Sequence, residues 1–204
     1  MESKRLDELL IRLKKIQREI EEEIDRLLAE KRKKFQYQIR RGRVVFERKR
    51  KQLHRRERTP LLEYIKGAPI ATILSAPIIY GMVIPLAFLD LTITLYQQIC
   101  FRIYKIPLVK RSDYLYLDRH YLPYLNLIEK INCVYCGYGN GLVEYAREVI
   151  GRTEKYWCPI KHARRTPDPH RYVEEFFDYG DSEAWKNNLN EIRRNWDEKT
   201  PSGA

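Results

Sequence analysis

The chain has 204 residues, of which 44% are apolar and 33% charged, and its formal net charge is +11. Its nine glycines, ten prolines and four cysteines exclude collagen-like, low-complexity and disulfide-framework proteins. The charge is uneven, because residues 1–58 carry a net +10, residues 59–106 a net +1, and residues 107–204 none.

Residues 1–33 are predicted to form a long amphipathic helix. Its apolar side chains recur at steps of three and four positions: Leu6, Leu9, Leu13, Ile16, Ile20 and Leu27. This spacing is close to a heptad repeat, so we expect a coiled coil with a second copy or another protein, or docking on the chain's own C-terminal domain. The first sixty residues lack the apolar core of a signal peptide, which predicts a cytoplasmic start.

Residues 34–66 are predicted to form a small β-hairpin and then a basic juxtamembrane helix. Tyr37 and Ile39 alternate with polar residues before a turn at Gly42, although a continued helix also fits. Each Lys or Arg beside an anionic leaflet contributes about 1 kcal/mol. We expect anionic lipids and not nucleic acid as the partner, because the run ends near an apolar block and lacks aromatic side chains for base stacking. The predicted lipid contacts, before and after that block, are Arg50, Lys51, Arg55, Arg56, Arg58, Arg102 and Lys105.

Residues 67–106 are predicted to enter a membrane. Asp90 is the only charged residue between Ala68 and Cys100. A charge at this depth is costly, so Asp90 is a candidate functional group, held by nearby hydroxyls or by an arginine reaching inward. A packing or interfacial role is the alternative.

The length of the apolar block fits neither a single straight membrane crossing nor two crossings. It is too long for one straight crossing of the roughly 30 Å hydrocarbon core, whereas two crossings need about 40 residues. Pro77, Gly81 and Pro85 predict a bend, and basic residues flank both ends. We therefore expect a re-entrant helical hairpin on the inner membrane, monotopic and with both termini cytoplasmic; one strongly tilted span is the alternative.

Residues 107–198 are predicted to form an α-rich Cys3His metal domain, followed by a disordered tail over 199–204. Cys133, Cys136, Cys158 and His162 have the spacing C-x2-C-x21-C-x3-H, with a helix expected between the two halves over 141–150. Three thiolates and an imidazole in a reducing compartment favour a closed structural zinc site. Iron or an iron-sulfur cluster is the alternative, and a redox thiol pair explains the first half alone.

Two resemblances accompany this motif. Cys158 and His162 are similar to the end of the Cys3His iron-sulfur motif of the NEET family, but Pro159 and Ile160 depart from that family's pattern. The arrangement of the apolar block, CVYCGYGNGL and YWCPIKHARR resembles a bacterial membrane-associated Cys/His family of unknown function. That resemblance implies no activity.

Three other polar residues, Asp118, Arg119 and His120, lie together in a tyrosine-rich segment. Beside a membrane they are a candidate site for lipid-phosphate chemistry, resembling monotopic phosphoglycosyl transferases in membrane shape alone. An interfacial aromatic belt with snorkelling charges is the alternative interpretation. His170 is an alternative metal ligand or a surface-turn residue, and aromatic residues beyond it predict two short amphipathic helices.

The sequence thus predicts a mainly α, membrane-anchored, zinc-stabilised scaffold or accessory protein of a membrane complex, and no enzymatic activity is expected. The alternative is a membrane-associated electron carrier or oxidoreductase with iron at the same four ligands. Phosphate-binding loops, zinc-protease motifs and serine-hydrolase motifs do not occur in the sequence.

Overall fold

The computed structural model describes residues 2–40, 43–164 and 166–196. Helices make up 69% of the structure. The regular elements in chain order are α1 Glu2–Phe35, β1 Tyr37–Arg40, β2 Arg43–Phe46, α2 Arg48–Arg56, α3 Leu61–Gly67, α4 Ile70–Gly81, α5 Val83–Tyr96, α6 Arg102–Tyr104, α7 Leu127–Trp157 and α8 Ser182–Ile192. The chain forms two compact units, one of Met1–Pro60 with Tyr121–Asn126 and one of Leu61–His120 with Leu127–Ala204.

The first unit confirms the predicted N-terminal helix and the antiparallel β-hairpin. Strands β1 and β2 pair with Tyr37 opposite Phe46, and Gln36 ends α1 with a positive φ of 56°. The predicted glycine turn lies outside the described residues. In α2, His54 is buried, with its ring edge-on to Phe46 and to Tyr124. These ring contacts join the hairpin, α2 and the 121–126 segment within this unit.

The second unit is organised around one apolar helical run, Ile70–Tyr104, which consists of α4, α5, a π-helical turn over Gln97–Phe101, and α6. The predicted reversal between residues 76 and 85 is wrong. Met82 joins α4 to α5 with right-handed helical dihedrals, and its amide donates back to Ile79. Proline removes a donor but does not by itself reverse a chain, so these prolines are accommodated within one run.

The contacts between this run and α7 also show that the run does not reverse its direction. Tyr80 bonds to Asn132, Tyr96 bonds to Thr153 at 3.1 Å, and Tyr104 stacks on Tyr156 with ring centroids 5.1 Å apart. The residue number of the α7 partner rises as the residue number in the run rises. The run and α7 therefore lie side by side and parallel. A hairpin would have reversed that progression.

Glycines within α7 allow the returning segment to approach this helix closely. A Cβ at Gly141 would lie 2.6 Å from the carbonyl oxygen of Tyr114, and one at Gly137 would lie 3.1 Å from that of Tyr116. The sequence pattern predicts a short helix over 141–150 with glycines at its ends. The structure corrects that boundary, because these glycines are sites of close packing inside a continuous helix of 31 residues.

The core of the second unit lies between the end of the apolar run and the second half of α7. Its fully buried side chains include Phe101, Leu142, Tyr145 and Val149. One of the two predicted C-terminal helices is present as α8, whose first turn is capped by Asp181 accepting from the Ala184 amide at 2.9 Å. The other segment forms a 3-10 turn over Val173–Glu175. The predicted disordered tail lies outside the described residues.

Candidate functional site

The apolar run presents one exposed apolar face over residues 84–103. Its side chains recur at steps of three and four, and each is more than half exposed: Ile84, Phe88, Leu91, Leu95, Ile99 and Ile103. We call these six residues the apolar stripe. Only 6% of the run's most apolar 18-residue window, with a mean hydropathy of 2.0, is buried. A long, mostly exposed apolar helix of this kind is consistent with association with a membrane.

The opposite face of the run places two polar side chains, those of Asp90 and Gln97, against the protein. Asp90 is 15% exposed in its side chain, and Arg111 donates to both of its carboxylate oxygens, at 2.9 and 2.6 Å. The Tyr138 hydroxyl donates to the same carboxylate at 3.0 Å, and the Thr94 hydroxyl lies at 3.5 Å. The sequence indicated an arginine or a hydroxyl as partner but did not identify Arg111 or Tyr138. These three residues satisfy the hydrogen-bonding capacity of the carboxylate. Asp90 therefore holds the run against Arg111 and Tyr138 within the unit.

A second polar contact lies about two turns further along the same face. Gln97 is 2% exposed, and its side chain accepts from the Val109 amide at 3.0 Å and donates to the Val109 carbonyl at 3.2 Å. It also donates to the Tyr145 hydroxyl. Lys105, with a positive φ of 58°, ends the run, and the chain returns along the Gln97 side. The π-helical turn lies at this contact, where such turns commonly aim a functional side chain.

A cluster that the sequence analysis missed holds the C-terminal segment against α7. Glu148 accepts from Arg152 at 2.9 Å, from Arg171 at 2.6 Å and from the Tyr172 hydroxyl at 2.6 Å. Arg152 is buried and also donates to the Pro107 carbonyl at 2.7 Å. The one available sequence signal was the i,i+4 spacing of Glu148 and Arg152 on a helix.

This cluster shifts the titration of its members. Burial raises the pKa of Glu148, but the hydrogen bonds from Tyr172 and Arg152 and the charges of Arg152 and Arg171 outweigh burial and leave the pKa lowered. Burial, followed by the negative charge of Glu148, raises the pKa of Tyr114 to about 12. Glu148 is therefore ionised and Tyr114 neutral at neutral pH.

An ion pair and a histidine–carboxylate hydrogen bond also join the second half of α7 to the C-terminal segment. Lys155 is 1% exposed, pairs with Glu175 and lies over the rings of Tyr172 and Trp196. His170 lies 2.7 Å from Glu154 on α7. The predicted alternative metal ligand thus has a carboxylate partner, and the segment is held by ion pairs and ring contacts.

The four predicted metal ligands lie at two places in the structure. Cys133 and Cys136 lie within α7, whereas the Cys158 amide still donates to Glu154 at the far end of that helix. The 22 positions between Cys136 and Cys158 correspond to about 33 Å of helix, and a metal–thiolate bond is about 2.3 Å long. This arrangement does not fit one zinc, iron or iron-sulfur centre bound by all four residues.

Among the described residues, no group of three or more His, Cys, Asp or Glu side chains is placed to hold a metal ion. All four cysteines are free thiols, with Cys136 and Cys158 exposed. The zinc content and its iron alternative stay predictions, since they require a different arrangement of α7 from the one described.

The remaining predicted site residues are placed as follows. Asp118 and Arg119 are exposed, and His120 lines a cavity together with Lys130 and Tyr135. Four of the predicted lipid contacts lie on α2, namely Arg50, Lys51, Arg55 and Arg56.

Of the other three predicted lipid contacts, Arg58 follows α2 in the first unit, whereas Arg102 and Lys105 lie at the end of the apolar run in the second unit. Arg58 donates to the Pro123 carbonyl at 3.3 Å, and Arg102 donates to Gln98 at 3.0 Å. Arg102 and Lys105 are both exposed at the end of the apolar run.

No protein-family model, curated protein or solved structure matches this chain.

Proposed function

We propose that this protein is a monotopic membrane-surface scaffold or accessory protein of a membrane complex, on the cytoplasmic face. The observation that supports this proposal best is the apolar stripe, which leaves one side of residues 84–103 of the helical run open to solvent. Monomeric soluble proteins rarely expose an apolar surface of this length. Insertion into the headgroup and acyl boundary would remove it from water.

The charges beside the run favour a helix that lies in the plane of the membrane over one that crosses it. Polar groups lie along the protein-facing side of the run. Lys130 and Tyr80 line a cavity at its first part, and Arg111 pairs with Asp90 at its middle. Arg152 lies beside the returning chain. A perpendicular crossing would carry some of these charged groups into the hydrocarbon core at a cost of several kcal/mol each. An in-plane helix keeps all of them on the aqueous side.

The basic α2 and the exposed α1 supply the other parts of the proposed function. Lys and Arg side chains beside an anionic leaflet add roughly 1 kcal/mol each to membrane binding, and α2 carries six of them: Arg48, Lys49, Arg50, Lys51, Arg55 and Arg56. On α1, Ile16, Ile20 and Ile24 are 46% to 53% exposed. This exposed apolar face is the proposed contact for a protein partner or a second copy.

The oxidoreductase alternative gains no support from this arrangement, because it needs three thiolates and an imidazole at one centre. The proposed function therefore does not include a metal, and the second unit depends on the Asp90, Gln97 and Glu148 contacts for its cohesion.

Flotation of the full chain with lipid vesicles tests the proposal. We expect the protein to float with vesicles containing phosphatidylglycerol, and a Phe88→Glu, Leu95→Glu variant to remain at the bottom of the gradient. Tyr179→Glu is a matched control, because Tyr179 is 71% exposed and lies outside the run. Full flotation of the double variant would contradict an anchor formed by the apolar stripe.

A further inference from the structure

An apolar groove lies between α3, α4 and the first half of α7. It encloses about 720 Å³, and its walls include Ile65, Ile73, Ala76, Ile79, Ile128 and Ile131. This volume lies within the usual range for small-ligand sites. The hydroxyl of Tyr80 and the side chain of Asn132, both at the groove, hydrogen-bond to each other. Tyr64, Thr72, Tyr135 and Cys136 also line the groove, and most of its surface is apolar.

The groove opens toward the exposed surface of the run. Ile73 and Ile79 line it and are 48% and 47% exposed, so they form its edge and not its floor. A ligand entering from the apolar boundary of a bilayer would meet these two side chains first. A water-soluble ligand would meet no charged group along the groove's wall.

A second cavity adjoins the groove and carries positive charge. The two share Tyr80, Ile131 and Tyr135, and the second is also lined by Lys130 and His120. Among the described residues, Lys130 has no ion pair. An apolar channel beside a lysine matches the two parts of an amphiphilic anion, a hydrocarbon chain and a phosphate.

We propose that the groove binds one acyl chain of an anionic phospholipid taken from the bilayer, with the lipid phosphate at Lys130. This inference rests on the proposed membrane attachment and adds a specific lipid site to it. The hydrocarbon walls account for the acyl chain, because filling the groove removes apolar surface from water. The ammonium group accounts for the preference for an anion.

Binding of a fluorescent acyl-labelled phosphatidylglycerol to the full chain in detergent tests the site, with the matching phosphatidylcholine as the neutral comparison. Ala76→Phe fills the groove and is expected to weaken phosphatidylglycerol binding at least tenfold. Ala87→Phe adds the same ring at an exposed position of the same run that does not line the groove, and wild-type binding is expected. Lys130→Gln is expected to remove the preference for phosphatidylglycerol over phosphatidylcholine.

Wild-type binding by Ala76→Phe would overturn the site, and so would an undiminished headgroup preference in Lys130→Gln. Equal loss in Ala76→Phe and Ala87→Phe would also overturn it, because a general surface effect would then explain the binding. Binding of an apolar peptide in place of lipid, reduced in Ala76→Phe, would assign the groove to a protein partner. Flotation of the same variants separates this inference from the anchor, because Ala76→Phe should still float with vesicles.

Discussion

Arg111 donates to both carboxylate oxygens of Asp90, and this pair joins the segment that follows the apolar run to the middle of the run. The two residues are 21 positions apart in the sequence. The carboxylate is 15% exposed and the guanidinium 45% exposed, so the pair lies at the edge of the protein-facing side. The pair holds the returning chain beside the run and leaves the apolar stripe exposed.

Removing Arg111 should cost stability. Arg111→Gln leaves a mostly buried carboxylate with weaker partners, and we expect the free energy of unfolding in detergent to fall by about 1–2 kcal/mol, less than for a fully buried pair because the guanidinium is partly solvated. Asp90→Asn combined with Arg111→Gln should cost less than the sum of the single changes. Arg102→Gln is the control, since Arg102 is exposed and bonds only locally to Gln98. Strictly additive costs would show that the pair is not coupled.

Gly141 should be intolerant of a side chain. A Cβ there would lie 2.6 Å from the Tyr114 carbonyl oxygen and 3.0 Å from the Leu115 Cα, and both are backbone atoms that cannot move aside alone. We expect Gly141→Ala to lower the thermal unfolding temperature by several degrees. Gly81→Ala is the matched control, because nothing lies within 4 Å of its added Cβ. It should be neutral or slightly stabilising.

The stability of the second unit should depend on the charge of Glu148. Because its folded pKa is lowered below the ordinary value of 4.5, its ionisation stabilises the fold above that value, and this contribution is lost as pH falls through the folded pKa. Urea unfolding at pH 7 and at progressively lower pH should show a steeper acid loss for the wild type than for Glu148→Gln. Glu144→Gln, at an exposed position 3.9 Å from Arg147, should retain the wild-type slope. If Glu148→Gln lost stability with falling pH as steeply as the wild type, the Glu148 carboxylate would not be the source of the acid sensitivity.

Metal analysis of protein purified anaerobically tests the separation of the four predicted ligands. The structure leads us to expect that Cys136→Ser and His162→Ala do not change the metal content together, because Cys136 lies in the first half of α7 and His162 follows the end of that helix. About one zinc per chain, lost equally in both variants, would show that α7 adopts another conformation. Stoichiometric iron with visible thiolate absorption would favour the oxidoreductase alternative.

Local patterns predicted the parts of this fold that depend on near neighbours. The apolar periodicity of α1 and the alternation around Tyr37 and Ile39 led to the correct helix and hairpin, because helical and strand periodicity are properties of a short segment. The same reasoning identified Asp90 as the one charge in the apolar block.

Features that depend on distant partners were missed. Pro77 and Pro85 predicted a reversal, yet the run stays helical where it packs along α7. Gly141 was interpreted as a helix boundary because the approach of Tyr114, 27 positions earlier, leaves no local trace. The Glu148 cluster needs Arg171 and Tyr172 from another segment, so periodicity within α7 could indicate only Arg152.

The depth of the apolar stripe in a bilayer tests the in-plane anchor most directly. Nitroxide labels at Ile84→Cys, Leu91→Cys and Ile103→Cys, in the full chain with its four native cysteines changed to serine, report depth through their accessibility to oxygen and to a polar relaxant. An in-plane anchor predicts similar shallow depths of about 5–10 Å at all three positions. A deep central label with shallow ends, or termini on opposite sides of the vesicle, would contradict the in-plane anchor and support a crossing helix.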